Sequence, residues 1–131
     1  MLRDAGGSDA GYGMFTADYH PKKSATYLHN LTTILADKGA APPGRLGYSI
    51  PDKPATMHDL LLRKSNGAFE LLVWNEKASG ADAISVSLAS LQPAVRLYDP
   101  TVGTDTLQTL AKVRAVPLTL SDHPVILEFG R

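Results

Sequence analysis

The chain has 131 residues, which suits one domain that is long enough to bury a hydrophobic core. Its thirteen basic residues balance thirteen acidic ones without a Lys/Arg cluster, so neither nucleic acid nor an anionic membrane surface is an expected partner. The lack of cysteine excludes disulfides and thiolate metal sites. No apolar run is long enough to span a bilayer, and the start, MLRDAGGSDAGYG, lacks the apolar region of a signal peptide.

The first thirteen residues are rich in glycine and are predicted to form a loop. Beyond them, apolar residues recur at three- and four-residue steps, which predicts an amphipathic helix over residues 21 to about 37. Pro21 suits the first helical turn, and Gly39 suits the exit from the helix. The apolar stripe consists of Ala25, Leu28, Leu31 and Leu35, with Tyr27 and Ile34 beside it. Residues 40–44, with two prolines, then read as a stiff linker.

The clearest β signal is a hairpin over residues 60–76, where two apolar runs flank Asn66-Gly67, the dipeptide typical of a two-residue type I′ turn. That loop predicts a register with Arg63 opposite Glu70 on one face. The same face carries three large apolar side chains: Leu61, Leu72 and Trp74. It is more apolar than a face that meets only water, so we expect a second sheet, a neighbouring domain or a ligand to cover it.

Short segments with alternating apolar residues, each bounded by turn residues, predict the remaining strands. They cover residues 47–50, 83–88, 94–98, 107–115, 117–120 and 125–129. With the hairpin, they predict a mainly β protein: an antiparallel β-sandwich of about seven or eight strands with one N-terminal α-helix.

Few residues suggest chemistry. The four histidines lack the spacing of a metal site, and no serine lies in a G-x-S-x-G elbow, so we predict no metal, no cofactor and no hydrolase triad. The glutamates offer no acid and nucleophile pair, because we expect Glu70 to be paired with Arg63 and Glu128 to point outward. Sugar rings stack on flat aromatic rings, which makes Tyr48, Trp74 and Tyr98 the carbohydrate-binding candidates. Aromatic residues in a sandwich are also typical of a core or an interface.

Several longer phrases resemble a known group of enzymes. The run YGMFTADYHPKKSATYLHNLTTILAD resembles the segment of bacterial glycoside hydrolases in which the last barrel strand gives way to the last barrel helix, and MLRD resembles the end of that eighth strand. The phrases HDLLLRKSNGAFELLVWNE, VRLYDPTVG and HPVILEFG resemble the C-terminal β-sandwich that packs beside the (β/α)8 barrel. The relevant clan contains retaining enzymes of the xylosidase, cellulase and exopolysaccharide-hydrolase types.

This resemblance implies a division of the chain and a role. Residues 1–40 would be a loop and helix left from barrel strand 8 and helix 8, and residues 41–131 would be the sandwich domain. In that clan both catalytic glutamates precede the matching segment, so no position here inherits either role. Arg3 and Asp4 match at most the rim of the barrel's active site. The expected function is a non-catalytic accessory domain that packs beside a catalytic barrel, secreted or periplasmic if the parent enzyme degrades a polysaccharide.

The resemblance also implies a barrel interface on the helix stripe and the apolar hairpin face. The residues expected there are Leu28, Leu31, Leu35, Leu61, Leu72 and Trp74. Without a barrel, the stripe has to fold back on its own sandwich or find a second copy of the chain, which predicts a homodimer or an exchanged helix. The alternative function is a carbohydrate-binding module that recognises a plant or bacterial polysaccharide through exposed aromatics. A third reading is an active hydrolase of unusual size.

Overall fold

The computed structural model describes residue 11 and residues 13–130. It is mainly β with one helix, α1, at Lys23–Leu35, which confirms the coarse prediction. The six strands are β1 (Tyr48–Ser49), β2 (Met57–Arg63), β3 (Phe69–Asn75), β4 (Asp82–Tyr98), β5 (Gln108–Leu120) and β6 (Val125–Phe129). All of them pair antiparallel within one curled sheet.

The strand count is lower than the sequence predicted because two pairs of predicted strands are continuous. Residues 83–88 and 94–98 both belong to β4, and residues 107–115 and 117–120 fall almost entirely within β5. Pro117 does not end β5, because that strand lies at the sheet edge, where a missing N–H need not break a ladder. A shift in register between Ser87 and Gln92 marks an irregularity within β4.

The curl of the sheet is built around β4. The first half of β4 pairs with β1 and β5, and its second half pairs with β6 and β5. Strand β4 therefore runs through both halves of the sheet, one on the β1 side and one on the β6 side. The full order is β1-β4-β6-β3-β2, with β5 also paired to β4. Both halves contribute side chains to a single large core. That core includes Met57, Leu71, Val73, Ile84, Val86, Val95, Val116, Leu127 and Phe129.

The β2–β3 hairpin is present, but the predicted register is wrong by one residue. Gly67, at φ 87°, closes a three-residue loop over residues 65–67, and Lys64 N donates to Ala68 O at 2.8 Å. Leu61 therefore lies opposite Leu71 and faces the core, while Leu72 lies opposite Leu60 on the other face. Because side chains alternate along a strand, this slip separates Leu61 from the face on which it was predicted.

Helix α1 covers that other face of the sheet. Ile34 is buried, with 8% of its surface exposed, and forms a second apolar cluster with Leu72 and Ile126. The side chains packed against this cluster are Leu31, Leu35, Leu62, Trp74 and Tyr98. The helix begins two residues after Pro21 and ends four residues before Gly39, so neither residue occupies the terminus predicted for it. The helix folds back on its own sheet, one of the two arrangements expected from its apolar stripe.

Candidate functional site

A cleft lies between the N-terminal half of α1 and the two turns that follow β4 and β5. Two adjoining cavities form it, with volumes of about 420 and 220 Å³. One end is polar and the other is apolar. The lining residues are Tyr27, Leu28, Leu31, Pro100, Thr101, Asp122, His123 and Pro124. We refer to this surface as the helix cleft.

Asp99 organises the polar end of the helix cleft. Its Oδ1 accepts hydrogen bonds from Thr101 N at 2.8 Å and Thr101 Oγ1 at 2.6 Å, as expected of an aspartate that opens a turn. Its Oδ2 lies 2.9 Å from His123 Nε2. Burial acts to raise the pKa of Asp99, but the hydrogen bonds from Thr101 and His123 outweigh it and hold that pKa below its ordinary value.

Ser121, His123 and Asp99 resemble a catalytic triad by composition but not by geometry. His123 Nδ1 lies 3.3 Å from Ser121 Oγ and 3.2 Å from Asp122 Oδ1, while Nε2 faces Asp99. A carboxylate therefore lies beside each ring nitrogen. Burial acts to lower the pKa of His123, but Asp99 and Asp122 raise it above its ordinary value. With a carboxylate beside each ring nitrogen, His123 lies in an ion-pair geometry that differs from the Ser–His–Asp arrangement of a catalytic triad.

The helix cleft is held together from the helix side as well. Asn30 Nδ2, on α1, donates to Pro100 O at 2.8 Å, which ties the middle of the helix to the turn after β4. Pro100 is buried, whereas Leu28 is 48% exposed beside it. The helix thus has a fixed position on the cleft and still presents apolar surface there.

A second group of polar residues lies beneath the C-terminal end of α1. Lys64 Nζ lies 2.8 Å from Glu70 Oε1 and donates to Ile34 O at 2.8 Å. Glu128 lies directly opposite Glu70 on β6, and its Oε1 lies 3.0 Å from Arg96 Nη1. We refer to Lys64, Glu70, Arg96 and Glu128 as the buried charge cluster.

This cluster corrects two predictions from the sequence. Glu70 pairs with Lys64 and not with Arg63, whose guanidinium lies 4.4 Å from the centre of the Phe69 ring. Glu128 does not point outward: it is buried, at 4% exposure. Burial is the largest influence on Glu70 and raises its pKa above the ordinary value; Lys64 opposes this shift and Glu128 adds to it.

The three candidate aromatics fall on two faces of the sheet. Trp74 and Tyr98 both pack against the apolar cluster beneath α1, and the Trp74 ring centroid lies 5.5 Å from that of His58. Tyr48 packs against the large core, and its hydroxyl donates to Asp59 Oδ2 at 2.6 Å. Burial, followed by the contact with Asp59, raises the pKa of Tyr48 to about 12. The structure therefore brings together two of the three aromatics.

The residues predicted for a barrel interface are divided in a similar way. Leu31, Leu35, Leu72 and Trp74 meet in the cluster between α1 and the sheet. Leu28 is exposed on the rim of the helix cleft, and Leu61 packs against the large core. Arg3 and Asp4, matched to the rim of a barrel, and the glycine-rich start lie outside the described residues apart from Gly11 and Gly13.

Sequence reasoning missed the buried charge cluster and the Asp99–His123 pair. Both glutamates of the cluster lie in otherwise apolar runs, FELLVW and VILEF, and a charge within such a run was the available signal. Among the described residues, no group of three or more His, Asp or Glu side chains could hold a metal ion. That part of the chain also contains no helix with the length and apolar character of a membrane span.

Fold and site together define a mainly β domain whose curled antiparallel sheet carries one docked helix and a partly apolar cleft. No protein-family model matches the chain, and no curated protein matches it either.

Proposed function

We propose that this chain is a non-catalytic accessory domain of a glycoside hydrolase, and that it packs beside a (β/α)8 catalytic barrel absent from the chain. The observation that carries the proposal is the apolar half of the helix cleft. Tyr27, Leu28 and Leu31 meet Pro100 and Pro124 there, so apolar surface continues from the helix onto the turns around it. Partner proteins cover surfaces of this kind, and the sequence resemblance supplies the kind of partner.

In this proposal the two halves of the curled sheet act as the two layers of the accessory sandwich. Helix α1, within residues 1–40, is the counterpart of the last barrel helix, and residues 41–131 form the sandwich domain. Support comes from the shared core, to which both halves of the sheet contribute. The contacts of His123 are consistent with a structural role for the cleft, because a carboxylate lies beside each of its two ring nitrogens.

The test begins with the gene. The DNA upstream of the Met1 codon is read for a (β/α)8 barrel, and that barrel is then produced with and without this chain. We expect the chain to raise the barrel's melting temperature. Leu28→Lys should weaken that effect, because a charge would enter the apolar end of the cleft. Thr32→Lys, at an exposed position on the same helix, is the matched control. The absence of an upstream barrel, or equal effects of the two variants, would contradict the proposal.

A carbohydrate-binding module is the alternative, favoured by the surroundings of Trp74. Its half-buried ring lies beside the His58 ring at an interplanar angle of 30°, and His58 Nε2 lies 2.7 Å from Glu76 Oε1, so polar groups border an aromatic surface as in sugar sites. Retention on insoluble glucans or xylans that is lost in Trp74→Ala, while circular dichroism stays unchanged, would support this alternative. Leu91→Ala, at an exposed apolar position on β4, is the control. No retention on any polysaccharide favours the accessory role, and chromogenic glycosides test for an active hydrolase.

A further inference from the structure

Glu70 is a buried carboxylate that is only half satisfied. Its side chain is 1% exposed, and its Oε1 is paired with Lys64 Nζ at 2.8 Å. Its Oε2 is buried without a hydrogen-bond partner among the residues that the structure describes. An ionised carboxylate oxygen in such a position loses its hydration and gains no hydrogen-bond donor in return. Ionisation of Glu70 therefore destabilises the structure in which α1 is docked on the sheet.

The charged groups near Glu70 come from the hairpin, from β6 and β4, and from the segment after α1. Lys64 belongs to the hairpin and also holds the last turn of α1 through Ile34 O. Glu128, opposite on β6, places a second carboxylate beside Glu70 and is itself paired with Arg96 on β4. Asp37, just after α1, adds a further negative charge. Like charges directly opposite each other on neighbouring strands are destabilising, and here the repulsion lies beneath the end of the helix.

We propose that the buried charge cluster makes the docking of α1 depend on pH, so that a proton on Glu70 locks the helix onto the sheet and its loss loosens the helix. When Glu70 is protonated, its carboxyl group carries an O–H donor and no charge, so one of the two negative charges opposed on β3 and β6 disappears. When Glu70 is ionised, its carboxylate repels that of Glu128 and lacks hydration. Water that enters beneath the helix relieves both effects. The helix end, held by Lys64 Nζ on Ile34 O, is the element that can move away.

Hydrogen exchange measured by mass spectrometry tests this device. Protection factors for residues 23–35 and for β3 are compared between about pH 5 and about pH 8.5, after correction for the intrinsic exchange rates. Because ionisation of the buried Glu70 carboxylate works against helix docking, we expect helix protection relative to β3 to fall severalfold at the higher pH. Equal pH responses of the helix and β3 would overturn the proposal.

Variants assign the effect to Glu70. Glu70→Gln keeps the shape of the side chain and removes its titration, so it should abolish the pH-dependent fall. Glu128→Gln removes the negative charge opposite Glu70 and should reduce the fall. Glu76→Gln, an exposed glutamate just after β3, should retain it. His123→Gln removes the ion pair of the helix cleft, which is lost over the same pH range, and should leave the part of the fall that Glu70→Gln abolishes. A fall that persists in folded Glu70→Gln protein, or one that grows in Glu128→Gln, would overturn the proposal.

Discussion

At the scale of single residues, the ion pair between Asp99 and His123 gives the protein a pH-dependent link between two turns. The pKa of His123 is raised in the folded protein, so the stabilisation is complete below the ordinary value of 6.5 and is lost as the pH rises through the raised value. The pKa of Asp99 is lowered, so its own contribution is lost only in strong acid. The pair should therefore stabilise the protein in mildly acidic solution.

We predict that His123→Gln lowers the free energy of unfolding by about 1 kcal/mol at about pH 5.5 and by much less at about pH 9, because the half-buried pair exists only while His123 is charged. Urea denaturation at the two pH values measures the difference. His29→Gln, at an exposed position on α1, provides the control and should change neither value. An equal loss at both pH values would show that His123 acts through packing and not through its charge.

At the scale of elements, α1 depends on its docking site. It has thirteen residues, with no acidic residue in its first turn and no basic residue in its last, and no side chain caps its start among the described residues. An isolated helix of this length is marginal in water. Packing of the helix onto Leu72 and Ile126, together with the hydrogen bonds from Asn30 and Lys64, therefore holds it in place.

We predict that Ile34→Ala costs about 2 to 4 kcal/mol of stability, because it leaves a cavity where the helix meets the sheet. Leu28→Ala should cost less than about 1 kcal/mol, because nearly half of that side chain already meets solvent. Urea denaturation followed by circular dichroism gives both values. Comparable losses in the two variants would mean that the apolar stripe contacts the sheet differently from the arrangement described above.

The errors at this scale have a common physical cause. Asn66-Gly67 suits a two-residue type I′ loop and also a three-residue loop with glycine in the left-handed region, so the local sequence leaves the register open. A residue that is distant in sequence favours the three-residue loop. Asp37 accepts a hydrogen bond from Ser65 N at 2.7 Å and another from Ser65 Oγ. Periodicity could find the helix, but contacts 28 residues apart could not be read from it.

The one-residue slip also hid the buried charge cluster. The predicted register pairs Glu70 with Arg63 on its own hairpin, and Glu128 is expected to point outward from the last strand. In the structure the two glutamates are opposite each other beneath α1. Apolar periodicity located the strands, and β6 was found at its observed bounds. Tertiary packing decides which face of the sheet the helix covers. It therefore also decides which side chains meet at the candidate site.

At the scale of the whole molecule, the segment between α1 and β1 decides which sheet the helix covers. It is tied to the hairpin loop at Asp37 and to β4 by the hydrogen bond from Ala89 N to Gly47 O, at 2.9 Å. Residues 40–45 between these points are exposed. Any other copy of the chain offers the helix an identical docking face without the constraint of this connection, which is the basis of domain swapping.

We therefore predict that deletion of residues 40–43, which removes about 13 Å of reach, drives α1 onto the sheet of a second copy and yields a stable dimer. Sedimentation velocity should show a larger dimer fraction than for the intact chain. Replacement of the same four residues by Gly-Ser-Gly-Ser keeps the length and should leave the oligomeric state of the intact chain unchanged. Adding Ile34→Asp to the deletion should abolish the dimer, because the exchanged helix would bury a charge. A deleted chain that sediments as a monomer and retains its helical circular dichroism would show that the shorter connection still reaches its own sheet.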